Sequence, residues 1–175
     1  AYEIVSRDWS SDVCSSDLYA KVFEGDDAAL ARVTAVAQRT RELTEFLTEV
    51  LRVDQVAGEF SGSVTYHDSC SGLRELGIKQ QPRALLAKLP NVTLKEMPEC
   101  ETCCGFGGTF SVKFGEISSE MAANKCANIR QSGTDAVVLG DLGCMLNIEG
   151  RLRKEGDTLT RVLHIAEVLA GERNQ

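Results

Sequence analysis

The chain has 175 residues, with 19 Lys+Arg against 26 Asp+Glu and a net charge of −7, the wrong sign for a protein that must neutralise a phosphate backbone. A charged fraction of 26% and a hydrophobic fraction of 43% suit a packed core rather than disorder. The longest unbroken aliphatic run, residues 136–139, falls far short of the roughly 20 apolar residues of a membrane span. Nucleic-acid binding and membrane insertion are therefore set aside. The unusual figure is seven cysteines. No cationic start, apolar stretch and cleavage site mark a secretory signal. We therefore expect a reducing, cytoplasmic setting, where clustered thiols serve as metal ligands or redox groups rather than a disulfide framework.

Residues 1–18 carry no helical or strand period. The stretch 8–18 resembles the peptide that one reading frame of a sequencing-library adapter encodes, so 1–18 reads as an artefactual or disordered segment that replaces upstream sequence. Residues 19–58 read as a helical connector. From a capping Asp26, Val33, Val36, Ala37, Thr40, Leu43, Phe46, Leu47, Val50 and Leu51 recur at three- and four-residue steps, in one amphipathic helix or two.

After the small-residue break at 58–63 the pattern changes. A strand is predicted over 64–67, and a helix with Pro82 at its first position. A second strand follows over 92–97, a helix over 117–131 closed by Gly133, and a third strand over 136–139. A helix over 145–154, a strand over 159–163 and a helix over 166–170 complete the series. This alternation predicts an α/β fold over 59–175: a Rossmann-like parallel sheet with helices on both faces, preceded by the connector.

Cys70 follows the first predicted strand, Cys100, Cys103 and Cys104 the second, and Cys144 the third. In a parallel sheet those carboxyl ends share one edge, where open α/β folds place ligands. Cys126 falls mid-helix in line with Ala122 and Ile129 and reads as a small buried hydrophobe. Adjacent Cys103 and Cys104 splay apart, which suits two metal atoms of an iron–sulfur cluster better than one zinc ion held by short knuckles. Gly105, Gly107 and Gly108 let side-chain-free backbone approach sulfides and aim N–H groups at them.

The stretches Tyr66-His67-Asp68-Ser69-Cys70, Cys103-Cys104-Gly105-Phe106-Gly107-Gly108-Thr109-Phe110-Ser111-Val112-Lys113, Gly143-Cys144-Met145-Leu146-Asn147-Ile148 and Val162-Leu163-His164-Ile165-Ala166-Glu167 resemble the CCG, or cysteine-rich, domain family. That domain occurs twice in one of the heterodisulfide reductase polypeptides, and in iron–sulfur subunits of glycolate and glycerol-3-phosphate dehydrogenases. The likeness covers 64–171 and is to the second CCG domain of the family's lactate-utilisation branch in particular. Residues 27–57, with Arg41-Glu42-Leu43-Thr44-Glu45-Phe46-Leu47, are similar to that branch's connector. The resemblance implies a lost upstream CCG domain and a cluster on Cys70, Cys103, Cys104 and Cys144. It also implies an electron-transfer role beside the other subunits of a complex that oxidises a 2-hydroxy acid, L-lactate to pyruvate.

Two positions depart from the family pattern. Asp141 stands where the first cysteine of a final C-x-x-C pair belongs, which leaves four thiols, enough for a [4Fe–4S] cubane but not for a five-thiolate centre. Asp141 is either an oxygen ligand or a helix cap. Cys100 stands where the family carries a small residue without a thiol, and is a spare ligand or a bystander.

His67 either binds or hydrogen-bonds the centre or anchors its loop. His164 reads as a packed cap. Phe106, Phe110 and Phe114, four residues apart, read as core packing that keeps water from the centre. Arg74, Arg83 and Lys113 read as solvated surface cations able to attract an anion. Two rivals are a zinc-stabilised interaction module and thiol–disulfide exchange through Cys100-Glu101-Thr102-Cys103. An iron–sulfur subunit like those of glycolate oxidase or heterodisulfide reductase is the alternative within the family.

Overall fold

A computed structural model describes Tyr19 and residues 21–171 of the chain; the adapter-like segment 1–18 lies outside the described residues. The run Ala136-Val137-Val138-Leu139 forms a strand buried at every position, as a parallel strand covered on both faces must be. In chain order, α1 (Asp27–Ala37) precedes α2 (Leu43–Glu45), which widens into a π turn over Phe46–Val50. β1 (Gly62–Tyr66), a π turn over Ser71–Glu75, α3 (Gln80–Leu86), β2 (Val92–Leu94), α4 (Thr109–Lys113) and α5 (Gly115–Ser132) follow. β3 (Ala136–Leu139), α6 (Leu142–Lys154), β4 (Arg161–His164) and α7 (Ile165–Ala170) close the series.

The four strands are all parallel, in the order β2-β1-β3-β4. This is the expected Rossmann-like α/β arrangement. Side chains alternate across a strand, so the sheet feeds two cores. Val64, Tyr66, Ala136, Val138 and Leu163 pack with Leu85, Leu86 and Leu89 of and after α3 and with Val168 and Leu169 of α7. Val137, Leu139 and Val162 pack with Cys126 and Ile129 of α5 and with Ile148 and Leu152 of α6. The chain leaves β1 for β2 on one side and returns to β3 on the other. The order therefore switches between β1 and β3, and a crevice opens at their carboxyl ends.

Several boundaries differ from expectation for identifiable reasons. The connector forms two helical pieces, because Glu42 caps a new start by accepting from Thr44 N and Glu45 N. Leu47, Val53 and Val56 pack on the first core, whereas α1 buries none of its residues and Val36 is exposed. Pro82 is the third residue of α3, not the first; the first-turn N–H groups lack helical partners in any case. β2 stops at Leu94, yet Lys95 N still donates to Val64 O and Met97 N to Thr65 Oγ1, so the loop tracks β1 without a ladder. β4 starts only at Arg161 because the Asp157 carboxylate accepts from Leu159 N, Thr160 N and Thr160 Oγ1, bending that stretch into a turn. Gly133 closes α5 in the left-handed conformation (φ 63°), as predicted.

Candidate metal centre

Three loops at the carboxyl edge of the sheet build the site. The first follows β1. His67 N donates to Val138 O (3.0 Å) and Asp68 N to Cys100 O (3.2 Å), which ties the loop to β3 and to the cysteine segment. The buried Asp68 carboxylate accepts two hydrogen bonds from Arg83, at 2.8 and 2.7 Å. Arg83 also binds Glu96 and lies over the Tyr66 ring. Arg83 is thus a clamp on this loop, not the solvated surface cation expected; a planar, always-charged fork is suited to that task.

The second loop carries Cys100, Cys103 and Cys104. Gly105 adopts φ 89°, and a Cβ there would lie 2.6 Å from Ser118 O, so only glycine admits this approach of the loop to α5. Gly105 N donates to Cys103 Sγ (3.3 Å), and Phe106 N–H donates to Cys104 Sγ. Ser118 Oγ donates to Gly105 O and Asn147 Nδ2 to Cys104 O. Gly107 and Gly108 are exposed and form the turn into α4.

The third loop follows β3. Asp141 is the N-cap of α6, accepting from Cys144 N (2.9 Å), and its other oxygen accepts from Ser71 Oγ (3.1 Å). Its carboxylate thereby sets Cys144 in the first turn of α6.

These loops bring His67, Cys104 and Cys144 together. One nitrogen and two sulfurs lie within 4.8 Å of one another, and all three residues are buried. His67 has no exposed surface, and neither ring nitrogen has a hydrogen-bonding partner. Leaving buried imidazole nitrogens unpaired costs on the order of 1–3 kcal/mol each, so the trio has an open demand for a ligand. The Cys104 thiol is pulled down, chiefly by the Cys144 thiol beside it and against the effect of burial. Cys144 is pushed well up, by Cys104 and then by burial.

Cys70 is exposed and Cys103 half-buried, outside the compact trio but within electrostatic reach of it. Burial and the neighbouring Cys103 push the Cys70 thiol up. Cys100 sits against Asp68 and Arg83 rather than against the other sulfurs. Cys126 is fully buried in α5 and its Sγ donates to Ile148 O. His164 caps α7 in a capping box with Glu167.

The phenylalanines do not form core. Phe106 is 36% and Phe114 53% exposed, because α4 ends at Lys113 and the four-residue spacing does not fall on one helix. Phe106 instead rests on Gly143, where a Cβ would lie 2.4 Å from its ring, and so covers the backbone next to Cys144. Lys125 escaped the sequence reading. It is buried in α5, and its Nζ donates to Glu99 O (2.6 Å) and Cys100 O (3.3 Å). A charge interrupting the apolar stripe Ala122, Cys126, Ile129 was the available signal.

A parallel α/β sheet that collects thiols and an imidazole at its switch point defines a cysteine-rich α/β domain. Residues 64–149 match the family model described as CCG, cysteine-rich domain. Proteins called Lactate utilization protein A are similar over 151 residues, 86% of the chain: 44% identical in Bacillus cytotoxicus, 42% in a Geobacillus species and 40% in Lysinibacillus sphaericus. The chain spans 63%, 63% and 66% of those relatives' lengths. No helix among the described residues is long and apolar enough to cross a membrane.

Proposed function

We propose that Cys70, Cys103, Cys104 and Cys144 hold an iron–sulfur cluster of the [4Fe–4S] type, and that the protein is an electron-transfer subunit of a complex oxidising a 2-hydroxy acid, L-lactate to pyruvate. The observation that carries the reading is the buried trio of Cys104, Cys144 and an unpartnered His67 at the edge where the other two thiols also emerge. The donor set fits: thiolates are the ligands such clusters require. When bound, the centre supplies one-electron transfer.

The chain's own groups prepare the site. The Cys144 thiol and the Phe106 N–H favour the ionised form of Cys104, and the Gly105 N–H is aimed at Cys103 Sγ. Such N–H groups favour added negative charge and so set the potential. Phe106 shields the Cys144 side. Lactate as the substrate, and partner subunits that bind it, are carried over from the relatives' name. A reducing cytoplasm goes with this reading, since all six described cysteines are free thiols.

Anaerobic reconstitution with iron and sulfide tests it. About four irons and four sulfides per chain and a brown colour are expected. A colourless protein holding one zinc overturns it. That second reading has one specific support, because ligand atoms within 4.8 Å of one another are compact enough for a single tetrahedral ion, whose sulfurs stand roughly 3.8 Å apart with bonds of about 2.3 Å. In that case His67, Cys104 and Cys144 take three positions, an outer thiol takes the fourth, and the domain is an interaction module.

A further inference from the structure

Lys125 is 1% exposed and stands first among the largest fully buried side chains. It shares the inward stripe of α5 with Ala122, Cys126 and Ile129, where an apolar residue would pack without any charge to accommodate. None of the ion pairs among the described residues includes it. Its Nζ instead donates to the carbonyls of Glu99 and Cys100. Glu99 holds φ 51°, a left-handed conformation costly for a residue with a Cβ, and it opens the segment that leads to Cys103 and Cys104. A buried cation without an ion-pair partner is expensive to keep. Burial works against its charge, and the groups that favour it, Cys100, Cys104, Glu99 and Asp68, lie in the cysteine loop and the loop after β1.

We propose that Lys125 is a positioning residue: it pins the 99–104 turn through two carbonyls, and its buried positive charge raises the midpoint potential of the centre bound there. The inference rests on the iron–sulfur reading above. Four thiolates make the bound centre net negative, and one-electron reduction adds one further negative charge. The electron comes from the electrode or dithionite used in the titration; no bond forms or breaks and no proton moves. A fixed cation nearby favours the reduced form.

The test is a mediated redox titration of the reconstituted chain beside Lys125→Met and Lys125→Gln, with hydrogen exchange of the 99–104 amides on the same proteins before metal is added. Methionine fits the apolar stripe, and a thermal melt checks that both variants fold. Both should lower the reduced-to-oxidised ratio at a fixed potential about tenfold, a fall of about 59 mV for one electron. Exchange should speed up about tenfold in Lys125→Met and less in Lys125→Gln, which keeps an N–H donor. Unchanged potentials in an iron-loaded protein overturn the charge role while the iron–sulfur reading stands, and so does a fall in Lys125→Met alone. If wild type takes up no iron and sulfide, that reading fails and the charge role with it; exchange on the metal-free chain still decides the pinning role, and unchanged protection overturns it.

Discussion

The two ends of the sheet answer the same problem differently. At the amino end, Asp135 Oδ2 accepts from both N and Oγ of Ser63, Asp135 N donates back to Ser63 O, and Arg161 N donates to Asp135 O. Neighbouring strands satisfy one another with their own groups, in contact with water. At the carboxyl end the loops after the same strands gather an imidazole with no partner beside two buried sulfurs, and α5 adds a lysine held by carbonyls. Buried polar groups in folded proteins are nearly always paired. Among the described residues the buried side-chain nitrogens without a partner, on His67 and His164, lie at the carboxyl edge, the edge that the proposed metal centre uses.

Removing an inner sulfur is the strongest way to break this contrast. Cys104→Ser replaces one of the two buried sulfurs of the trio with a hydroxyl that stays protonated. Reconstituted iron and sulfide should fall at least tenfold, and Cys144→Ser should follow closely. Full iron in either variant would separate the carboxyl edge from metal binding. The amino edge should be indifferent, so thermal melts of the metal-free variants should change little beside the loss of iron.

His67 gives a sharper test because its two effects have opposite signs. In the metal-free protein, His67→Leu removes two unpaired nitrogens from a fully buried position. Urea unfolding should show a gain of about 1–3 kcal/mol for each nitrogen removed. In the metal-loaded protein the same change should weaken metal retention against a chelator. A loss of stability in the metal-free state would mean that the imidazole is structurally satisfied and that the site makes no demand on a ligand.

The sequence reading succeeded where one physical signal dominated. The run 136–139 is apolar throughout and could only be a covered strand; Gly133 closes α5 because glycine alone enters the left-handed region freely. The placement of cysteines after successive strands foretold the edge at which Cys104 and Cys144 gather, since parallel topology fixes where carboxyl ends lie. The five-residue elements, the π turn Ser71–Glu75 and α4, were missed because neither is long enough to display a period. The phenylalanine spacing misled because a helix break between α4 and α5 interrupts it. Arg83 and Lys125 were misjudged or overlooked for a shared reason. A one-dimensional pattern assigns charge to the surface, whereas each of these cations is turned inward by loop groups, Asp68 in one case and the carbonyls of Glu99 and Cys100 in the other, that no spacing reveals.

At the amino edge the expected effect is smaller and depends on pH. Hydrogen bonds from Ser63, the hydroxyl first and then the amide, hold the Asp135 carboxyl below the usual carboxylate range. Its contribution is therefore present at neutral pH and is lost as pH falls through that lowered value. Asp135→Asn should reduce the denaturation midpoint slightly at pH 7 and lose its effect in strong acid, with reconstituted iron unchanged. A fall in iron uptake would show that the two edges are coupled through β3.

The smallest expected effect separates metal binding from thiol exchange at the carboxyl edge itself. Cys100 and Cys103 have the spacing of a redox pair, but Cys100 lies against Asp68 and Arg83, and burial together with the Asp68 charge pushes its thiol up. A raised thiol is a poor nucleophile near neutral pH. The thiol that is pulled down is that of Cys104, on the far side of the vicinal pair. Cys100→Ser should therefore leave iron, sulfide and midpoint potential near wild-type values, since the substitution keeps the backbone carbonyl that Lys125 and Asp68 N both use. Loss of iron in this variant would add Cys100 to the ligands. A disulfide that traps Cys100 with Cys103 in the metal-free protein, resolved by peptide mapping after mild oxidation, would instead give the exchange chemistry a foothold that the present separation of their environments denies it.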